Sequence, residues 1–369
     1  MSPKVRRRPD DAVTGTGGGR EGQRGGVGLG VVGATGLVGG EMLLILADRS
    51  FPLRELRVFA SPRSEGRRLS FAGSEVVVER LRPGCFEGLD LVVVDVDDPL
   101  AGQCVPEAVA AGARVVDNSA AFRMDPQVPL VVAEVNPDDL AHLPKGIASC
   151  PNCTTMVLVT ALAPLHRAAG LRRMVVSSYQ SVSGAGQSGL RELEEQWTKY
   201  VGEWESLRRA GTGPLEAGDV WAKPIAGNVI PLAGSVKESG YTSEEWKLVR
   251  ETRKILHDDS ILVTATCVRV PVFVGHALAA NLEFTRPMGK AEAVELLSDA
   301  PGVVLVDGGD GYPTPLEGAG VDPVLVGRLR EDPSRPGGLD LWVTGDNLRK
   351  GAALNAVQMA EILVRNSTG

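Results

Sequence analysis

Residues 27–48 read Val27-Gly-Leu-Gly-Val-Val-Gly-Ala-Thr-Gly-Leu-Val-Gly39-Gly40-Glu-Met-Leu-Leu-Ile-Leu-Ala-Asp48. The first six residues are apolar or glycine and predict a short buried strand, and the stretch from Gly40 to Asp48 predicts a helix. The glycine-rich turn between them lies where a dinucleotide-binding loop belongs, because glycines let the backbone approach a pyrophosphate and a helix N-terminus offers free N–H groups. Glycines also form ordinary turns, so it is the strand–turn–helix context that favours the dinucleotide site.

Strand and helix patterns continue to alternate after this unit. Strands are predicted at Leu56–Ala60, Val76–Val78, Leu91–Asp95 and Arg114–Asp117, with a short helix over Pro106–Ala111. This alternation predicts a parallel, doubly wound sheet with its ligand crevice at the carboxyl ends of the strands. The fold class is therefore α/β, with an N-terminal Rossmann-type dinucleotide-binding domain.

The pattern changes after residue 152. A helix is predicted over Thr154–Ala169, and longer strands follow at Met174–Tyr179, Leu262–Val270 and His276–Phe284. Several of these strands alternate apolar and polar residues, as half-buried antiparallel strands do. They predict a second, α+β domain. The last apolar pattern, Asp346–Val364, predicts one long helix.

Composition excludes several classes of protein. The chain has 369 residues, with 39 Lys and Arg against 46 Asp and Glu, and its net charge of −7 argues against a general nucleic-acid binder. No apolar run approaches the roughly 20 residues of a membrane span, and the N-terminal sequence has no apolar core of a secretory signal. Five scattered cysteines form no disulfide framework, which favours a reducing cytoplasm. Residues 1–26, rich in Gly and Arg, are predicted to be a disordered tail.

The end of the second strand bears on the choice of cofactor. An NAD-binding protein usually has an acidic residue there for the ribose 2′-hydroxyl, whereas this chain has Ser61, Arg63 and Ser64. An arginine with neighbouring hydroxyls suits a 2′-phosphate and therefore NADP. The alternative is a solvated loop with an incidental arginine.

The segment from Cys150 to Cys153 has the CxxC spacing of zinc and thioredoxin-like sites. Zinc needs about four ligands, and the chain has no second CxxC and no HxxxH, so no metal is predicted. The segment also follows a whole dinucleotide-binding domain, which argues against a thioredoxin-like unit. The remaining alternatives are a buried inert thiol and a nucleophile whose pKa is lowered by the start of the helix at Thr154. The domain junction favours the nucleophile.

Two further groups of residues are candidates for chemistry. His276, one of four histidines, follows an apolar strand, and Arg269 precedes it by seven residues. An arginine flanking apolar sequence usually has an anionic partner. Glu244 and Lys247 are spaced to share one helix face, behind a capping box of Thr242 with Glu245; taken alone, the pair would be a surface salt bridge.

Taken together, the motifs resemble the aspartate-β-semialdehyde dehydrogenase family from about Val27 to Leu363. The motifs are GATGLVG, ASPRS, DNSAAFRM, VPLVVAEVN, SCPNCTT, SYQSVSGAG, EEWK, CVRVPVFVGHA, YPTPLEGAG and DNLRKGAALNAVQMAE. The resemblance implies NADPH-dependent reductive dephosphorylation of L-aspartyl-4-phosphate to aspartate semialdehyde, in the biosynthesis of lysine and diaminopimelate, threonine and methionine. The partners implied are a small-molecule substrate and a second copy of the chain, as a homodimer or a dimer of dimers.

The resemblance also implies roles for individual residues. Cys153 matches the nucleophile, His276 the acid/base and Gln180 a residue that orients the substrate. Arg269 matches the residue that holds the substrate carboxylate, and Glu244 the one that holds its amino group. The phosphate set comprises Arg123, Asn152 and Lys247. The cofactor set comprises Gly33, Ala34, Thr35, Gly36, Leu37, Val38, Ser61, Arg63, Ser64, Ser183, Gly184, Asn347 and Gln358.

The resemblance divides the chain into four parts. These are the tail 1–26, the dinucleotide-binding domain 27–152, a substrate-binding and dimerisation domain 153–345, and a C-terminal helix 346–369 that returns to the first domain. Two alternatives remain open: a weakly active or regulatory paralogue, and a reductase similar to the N-acetyl-glutamyl-phosphate reductases.

One loop departs from the family pattern. After the strand that starts at Leu91 the family has small residues against the cofactor, whereas this chain has Asp95-Val-Asp97-Asp98-Pro99. Three carboxylates near a pyrophosphate repel it, and proline removes an N–H donor. We therefore expect weakened NADP binding or an outward displacement of this loop.

Overall fold

A computed structural model of the chain describes residues 26–209, 217–306 and 311–368. Most of the predicted N-terminal tail lies outside these residues. The model contains two sheets, which confirms the predicted α/β class with a Rossmann-type sheet and a second α+β layer. Among the described residues, no helix combines the length and the apolar character needed to cross a membrane.

The first sheet has seven strands in the order β3-β4-β2-β1-β5-β6-β7. Its pairs are parallel except for the β3–β4 hairpin at one edge. Its strands are β1 (Val27–Val32), β2 (Leu53–Ala60), β3 (Arg68–Phe71), β4 (Ser74–Arg80), β5 (Leu91–Val94), β6 (Arg114–Asp117) and β7 (Ile147–Ser149). The helices between them are α1 (Leu37–Asp48) and α2 (Asp98–Ala110).

The second helix is longer than predicted. We expected it to start at Pro106, but α2 begins at Asp98, because the Asp97 side chain caps it by accepting a hydrogen bond from the Leu100 N–H at 3.0 Å. Pro106 lies inside the helix. The short strand β3 was also missed, since it is an edge strand with Arg68 and Ser70 exposed and no apolar run.

The second sheet has six strands in the order β11-β12-β13-β10-β8-β9. The β8–β9 and β11–β12 pairs are parallel and the others antiparallel. Its strands are β8 (Leu171–Gln180), β9 (Leu262–Arg269), β10 (His276–Phe284), β11 (Val303–Val306), β12 (Val324–Glu331) and β13 (Leu339–Gly345). The accompanying helices are α3 (Cys153–Ala169), α4 (Gly186–Tyr200), α5 (Trp204–Arg208), α6 (Ser243–Leu256), α7 (Lys290–Ser298) and α8 (Pro315–Gly318).

Helix α3 joins the two halves of the molecule. Met156 and Val159 pack into the core beneath the first sheet, whereas Leu158 and Leu162 pack into the core of the second. All four side chains are buried. The helix therefore forms a wall between the domains, and its N-terminus, which carries Cys153, lies at their junction.

The C-terminal segment differs from the single helix that we predicted. A π-helical turn, Arg349–Ala353, precedes α9 (Leu354–Thr368). Burial explains the irregular turn, since the Lys350 side chain is fully buried and the Gly351 backbone lies against Cys153. Helix α9 then packs into the same core as α1.

Candidate active site

A cavity of about 490 Å³ lies at the carboxyl edge of the first sheet, in front of the α3 N-terminus. It brings together residues that are far apart in sequence, including eleven of the predicted site residues. These eleven are Thr35, Gly36, Leu37, Val38, Arg123, Asn152, Cys153, Ser183, Gly184, Lys247 and Asn347.

The glycine-rich turn forms one wall of this cavity. Gly33 has φ +89°, and a Cβ there would lie 2.0 Å from the Asp95 carbonyl oxygen. Gly39 packs as closely, since its Cβ would lie 2.3 Å from the Gly33 carbonyl oxygen. Helix α1 follows at once, and no side chain of the described residues caps its N-terminus at Gly36. A backbone cradle with uncapped N–H groups fits a dinucleotide pyrophosphate.

Cys153 is the first residue of α3. Asn152 caps the helix, with its side-chain oxygen accepting from the N–H groups of Thr154 and Thr155 at 3.1 and 3.3 Å. The Cys153 Sγ lies 3.3 Å from the Nε2 of His276. The sulfur and this ring nitrogen therefore lie within hydrogen-bond reach of each other.

The pKa of Cys153 differs from our expectation. We predicted that the helix N-terminus lowers it, but burial raises the pKa of this thiol, and the Glu244 carboxylate raises it further. Lys247 and Arg269 act in the opposite direction without overcoming burial. The predicted direction of the shift was therefore wrong.

His276 is fully buried, and burial together with the Arg269 charge holds its pKa well below the ordinary value for histidine. The backbone N–H of Ser181 donates a hydrogen bond to His276 Nδ1 at 3.1 Å. Since Nδ1 accepts, a neutral ring carries its proton on Nε2. That N–H points at the Cys153 sulfur, so in this form His276 faces the sulfur as a hydrogen-bond donor.

Arg269 and Glu244 lie close enough to the sulfur to act on its pKa. Arg269 is buried and donates from Nη1 to the Ser181 carbonyl oxygen at 2.6 Å, while its buried Nε has no partner among the described residues. Glu244 accepts from Asn152 Nδ2 at 2.8 Å and from Lys247 Nζ at 2.5 Å. Burial opposes the charge on Glu244, but Lys247 outweighs it and lowers the pKa of the carboxyl.

The local structure of α6 was predicted correctly. Thr242 and Glu245 form the capping box, and the helix that they start presents Glu244 and Lys247 toward Asn152. The pair is largely buried, with side-chain exposures of 13% for Glu244 and 30% for Lys247, and it belongs to a network rather than to an isolated surface salt bridge.

Several predicted residues lie outside the cavity lining. Gln358 is bound between Lys350 Nζ, at 3.0 Å, and Glu134, at 2.9 Å, so its amide is already occupied. Gln180 is buried at the end of β8, where its Nε2 donates to Ser178. Five more follow β1 or β2, and they are Gly33, Ala34, Ser61, Arg63 and Ser64. His276, Arg269 and Glu244 also lie outside the lining, although each lies close to the sulfur of Cys153 or acts on its pKa.

The acidic loop, residues 95–99, should repel a pyrophosphate less strongly than we expected. Asp97 caps α2, and Asp98 accepts from the Ala120 N–H at 2.7 Å, so both carboxylates face backbone N–H groups. Pro99 occupies the first turn of the helix, where an N–H has no helical partner. Only Asp95 lines the cavity; it accepts from Asn118 at 2.6 Å, and burial raises its pKa. The repulsion is thus reduced from three carboxylates to one.

Sequence reasoning missed two residues of the site. Ser181 contacts His276 through its backbone, and no side-chain pattern signals such a contact. Glu251 contacts both Arg123 and Asn152. A signal for Glu251 was present, because it follows Glu244 by seven residues, or two helical turns, on the same face of α6.

The π-helical turn leads to a prediction about Gly351. A Cβ at this position would lie 3.0 Å from the Cys153 Cβ, so Gly351→Ala should displace the Cys153 side chain by a few tenths of an ångström. We expect kcat to fall about tenfold, since positioning errors near 1 Å cost about 100-fold. Gly102→Ala, in α2 with nothing within 4 Å, is the matched control and should leave kcat unchanged. Equal kcat for the two variants would contradict this role of the turn.

The chain resembles known proteins over most of its length. Residues 28–143 match the description "Semialdehyde dehydrogenase, NAD binding domain", and residues 162–350 match "Semialdehyde dehydrogenase, dimerisation domain". The chain is 49% identical to the aspartate-semialdehyde dehydrogenase of Mycolicibacterium smegmatis, over 91% of this chain and 99% of that one. It is 48% identical to the Streptomyces akiyoshiensis enzyme of the same name, over 92% and 99%.

Solved structures show the same likeness. Aspartate semialdehyde dehydrogenase II from Vibrio cholerae, complexed with ASA, matches with a TM-score of 0.87 and 41% identity, over 92% of this chain and 98% of that one. The enzyme from Candida albicans with NADP matches with a TM-score of 0.70 and 26% identity, over 93% and 99%.

Proposed function

The chain belongs to the aspartate-semialdehyde dehydrogenase family, and from this membership we propose that it reduces L-aspartyl-4-phosphate to aspartate semialdehyde with NADPH and releases phosphate. Family membership confirms the resemblance predicted from the motifs. The observation that carries the proposal is the 3.3 Å contact between Cys153 Sγ and His276 Nε2, beside Arg269 and at the mouth of a dinucleotide cradle.

The first half of the reaction takes place at the α3 N-terminus. The Cys153 sulfur attacks the acyl carbon, a C–S bond forms, the C–O bond to the phosphate breaks, and the thiol proton leaves with the phosphate. Arg123, Lys247 and Asn152 line the cavity beside the sulfur and supply cationic and amide donors for the leaving phosphate. Arg269 holds the substrate carboxylate with a planar fork, and Glu244 holds its amino group.

The second half releases the aldehyde from the thioester. The glycine-rich turn would hold the pyrophosphate of NADPH, and Ser183, Gly184 and Asn347 would hold its nicotinamide; the bound cofactor would supply a hydride to the thioester carbon. The thiolate then leaves, and the Nε2–H of His276 stabilises the charge on sulfur by a hydrogen bond. Because Nε2 already carries a proton in the neutral ring, His276 accepts none from the thiol at that atom.

The assembly and location that we propose follow the family. The dimerisation-domain match supports a homodimer, and the half-buried residues Tyr179, Asn281 and Trp342 lie on the face of the second sheet that would meet a partner. All five cysteines are free thiols, which suits a cytoplasmic location.

An absorbance assay of the reduced nicotinamide tests the proposed function directly. The purified chain receives aspartate semialdehyde and inorganic phosphate with NADP, and in parallel with NAD. We expect turnover with NADP. Absence of turnover with either cofactor would contradict the proposal and favour a regulatory paralogue.

Arg63 carries the proposed preference for NADP. It is exposed and follows β2, where a 2′-phosphate of the adenosine ribose would lie. We expect Arg63→Ala to raise the KM for NADP about tenfold, through loss of a charged hydrogen bond, and to leave the KM for NAD unchanged. Arg67→Ala, at an exposed position of the same loop, is the control. An unchanged KM for NADP in the Arg63 variant would assign the preference to other residues.

A further inference from the structure

Glu251 is a buried carboxylate that takes no part in the proposed reaction. It lies on α6, its side chain is 2% exposed, and it faces the first domain. Its Oε1 accepts a hydrogen bond from Arg123 Nη1 at 3.2 Å, and its Oε2 accepts from the backbone N–H of Asn152 at 2.7 Å. One carboxylate thus contacts both a predicted phosphate ligand and the residue before the nucleophile.

We propose that Glu251 is a positioning residue that ties the phosphate-binding guanidinium of Arg123 to the start of the nucleophile's helix. The inference rests on the proposed function, because it assigns Arg123 to the phosphate and Cys153 to the acyl carbon. Glu251 itself does not touch the reacting atoms.

The contacts of Asn152 link Glu251 to the position of the Cys153 sulfur. Glu251 accepts a hydrogen bond from the backbone N–H of Asn152, and Glu244 accepts one from Asn152 Nδ2 at 2.8 Å. The Oδ1 of Asn152 caps α3. Two carboxylates of α6 therefore fix Asn152 from two directions. Since Cys153 follows directly, the direction of its Cα–Cβ bond depends on both.

The contacts of Arg123 fix its guanidinium beside Glu251. Burial opposes the charge on its guanidinium, but the Glu251 carboxylate outweighs burial and raises the pKa. Nη2 donates to the Asn118 carbonyl oxygen at 2.8 Å, so two nitrogens are held in place, while the buried Nε has no partner among the residues described. The guanidinium is therefore charged and fixed, with donor capacity left for an anion.

One face of α6 carries four charged residues that lie along the boundary with the first domain. Glu244, Lys247, Glu251 and Lys254 recur at spacings of three, four and three residues, which places them on one side of the helix. Lys254 Nζ donates to the carbonyl oxygens of residues 123, 125 and 128 at 2.6, 2.7 and 2.8 Å. A helix of the second domain thus holds the loop of the first domain that carries the phosphate arginine.

The test is Glu251→Gln, assayed in the oxidative direction with aspartate semialdehyde, NADP and inorganic phosphate. Glutamine keeps the size and an acceptor for the Asn152 N–H, but it removes the charge that faces Arg123. We expect the KM for phosphate to rise about tenfold, as for loss of a charged hydrogen bond, and the KM values for aspartate semialdehyde and NADP to stay within about twofold. Glu251→Asp, which keeps the charge on a shorter stem, should show a smaller rise and serves if the glutamine variant does not fold.

Glu245→Gln is the matched control. Glu245 is also a buried carboxylate of α6, but it accepts from the backbone N–H groups of Thr242 and Cys267, at 2.7 and 3.0 Å. Its replacement should lower the melting temperature without changing the KM for phosphate. A Glu251 variant with an unchanged KM for phosphate, or a control that raises it equally, would overturn the inference. An inactive wild-type chain would instead overturn the proposed function and the inference with it.

Discussion

Cys153→Ala should abolish turnover, with kcat lower by about 10⁴-fold or more, as when other covalent nucleophiles are removed. The side chain is the sulfur that faces His276, at the start of α3, and alanine leaves no atom that could form the thioester. NADP binding should persist, because the glycine-rich turn is untouched. Steady-state rates and a cofactor titration by fluorescence measure the two effects separately.

Cys150→Ala is the control for this variant. Cys150 is fully buried, its sulfur lies 3.5 Å from the Met359 sulfur, and burial raises its pKa to about 12. We expect kcat to stay within about twofold and the free energy of unfolding to fall by about 1–2 kcal/mol, from the small cavity. Loss of turnover in this variant, or retained turnover in Cys153→Ala, would contradict the assignment of the nucleophile.

Arg269→Lys should lower kcat/KM for aspartate semialdehyde about 100-fold, because lysine keeps the charge but loses the planar fork that binds a carboxylate through two parallel hydrogen bonds. The site leaves little room for adjustment, since Arg269 is buried and its Nη1 is already held by Ser181. The KM values for phosphate and NADP should change little.

Arg173→Lys provides the comparison for Arg269. Arg173 lies on β8, is 41% exposed and pairs with Glu283 at 2.9 Å, away from the cavity. Its replacement should leave kcat/KM unchanged, because lysine keeps the charge that faces Glu283 and the pair lies away from the cavity. If Arg269→Lys were equally silent, the substrate carboxylate would have to bind elsewhere.

The fold could largely be predicted because its signals are local. The glycine-rich turn and the apolar strands of the first sheet are read directly from residues that are adjacent in sequence. The π-helical turn could not be predicted in this way, since it depends on burial of Lys350 and on the approach of Gly351 to Cys153, almost two hundred residues earlier. The start of α2 was missed because a capping aspartate looked like a loop residue.

The site was predicted only in part. The motifs supplied the candidate side chains, eleven of which line one cavity, but the predicted pKa direction of Cys153 was wrong, because burial outweighs the opposing charges of Lys247 and Arg269. Glu251 and Ser181 were missed for a related reason. Their partners, Asn152 and His276, are 99 and 95 residues away in sequence, and such contacts appear only when distant segments of the chain pack together.

The most direct test of covalent catalysis by Cys153 is to look for the thioester. The enzyme is mixed with aspartate semialdehyde and NADP without phosphate, so that the acyl group has no acceptor. We predict a burst of about one NADPH per active site. The mass of the peptide that carries Cys153 should increase by one aspartyl acyl group, which later addition of phosphate removes. A burst without this adduct, or an equal burst from Cys153→Ala, would contradict the claim that this sulfur carries the acyl group.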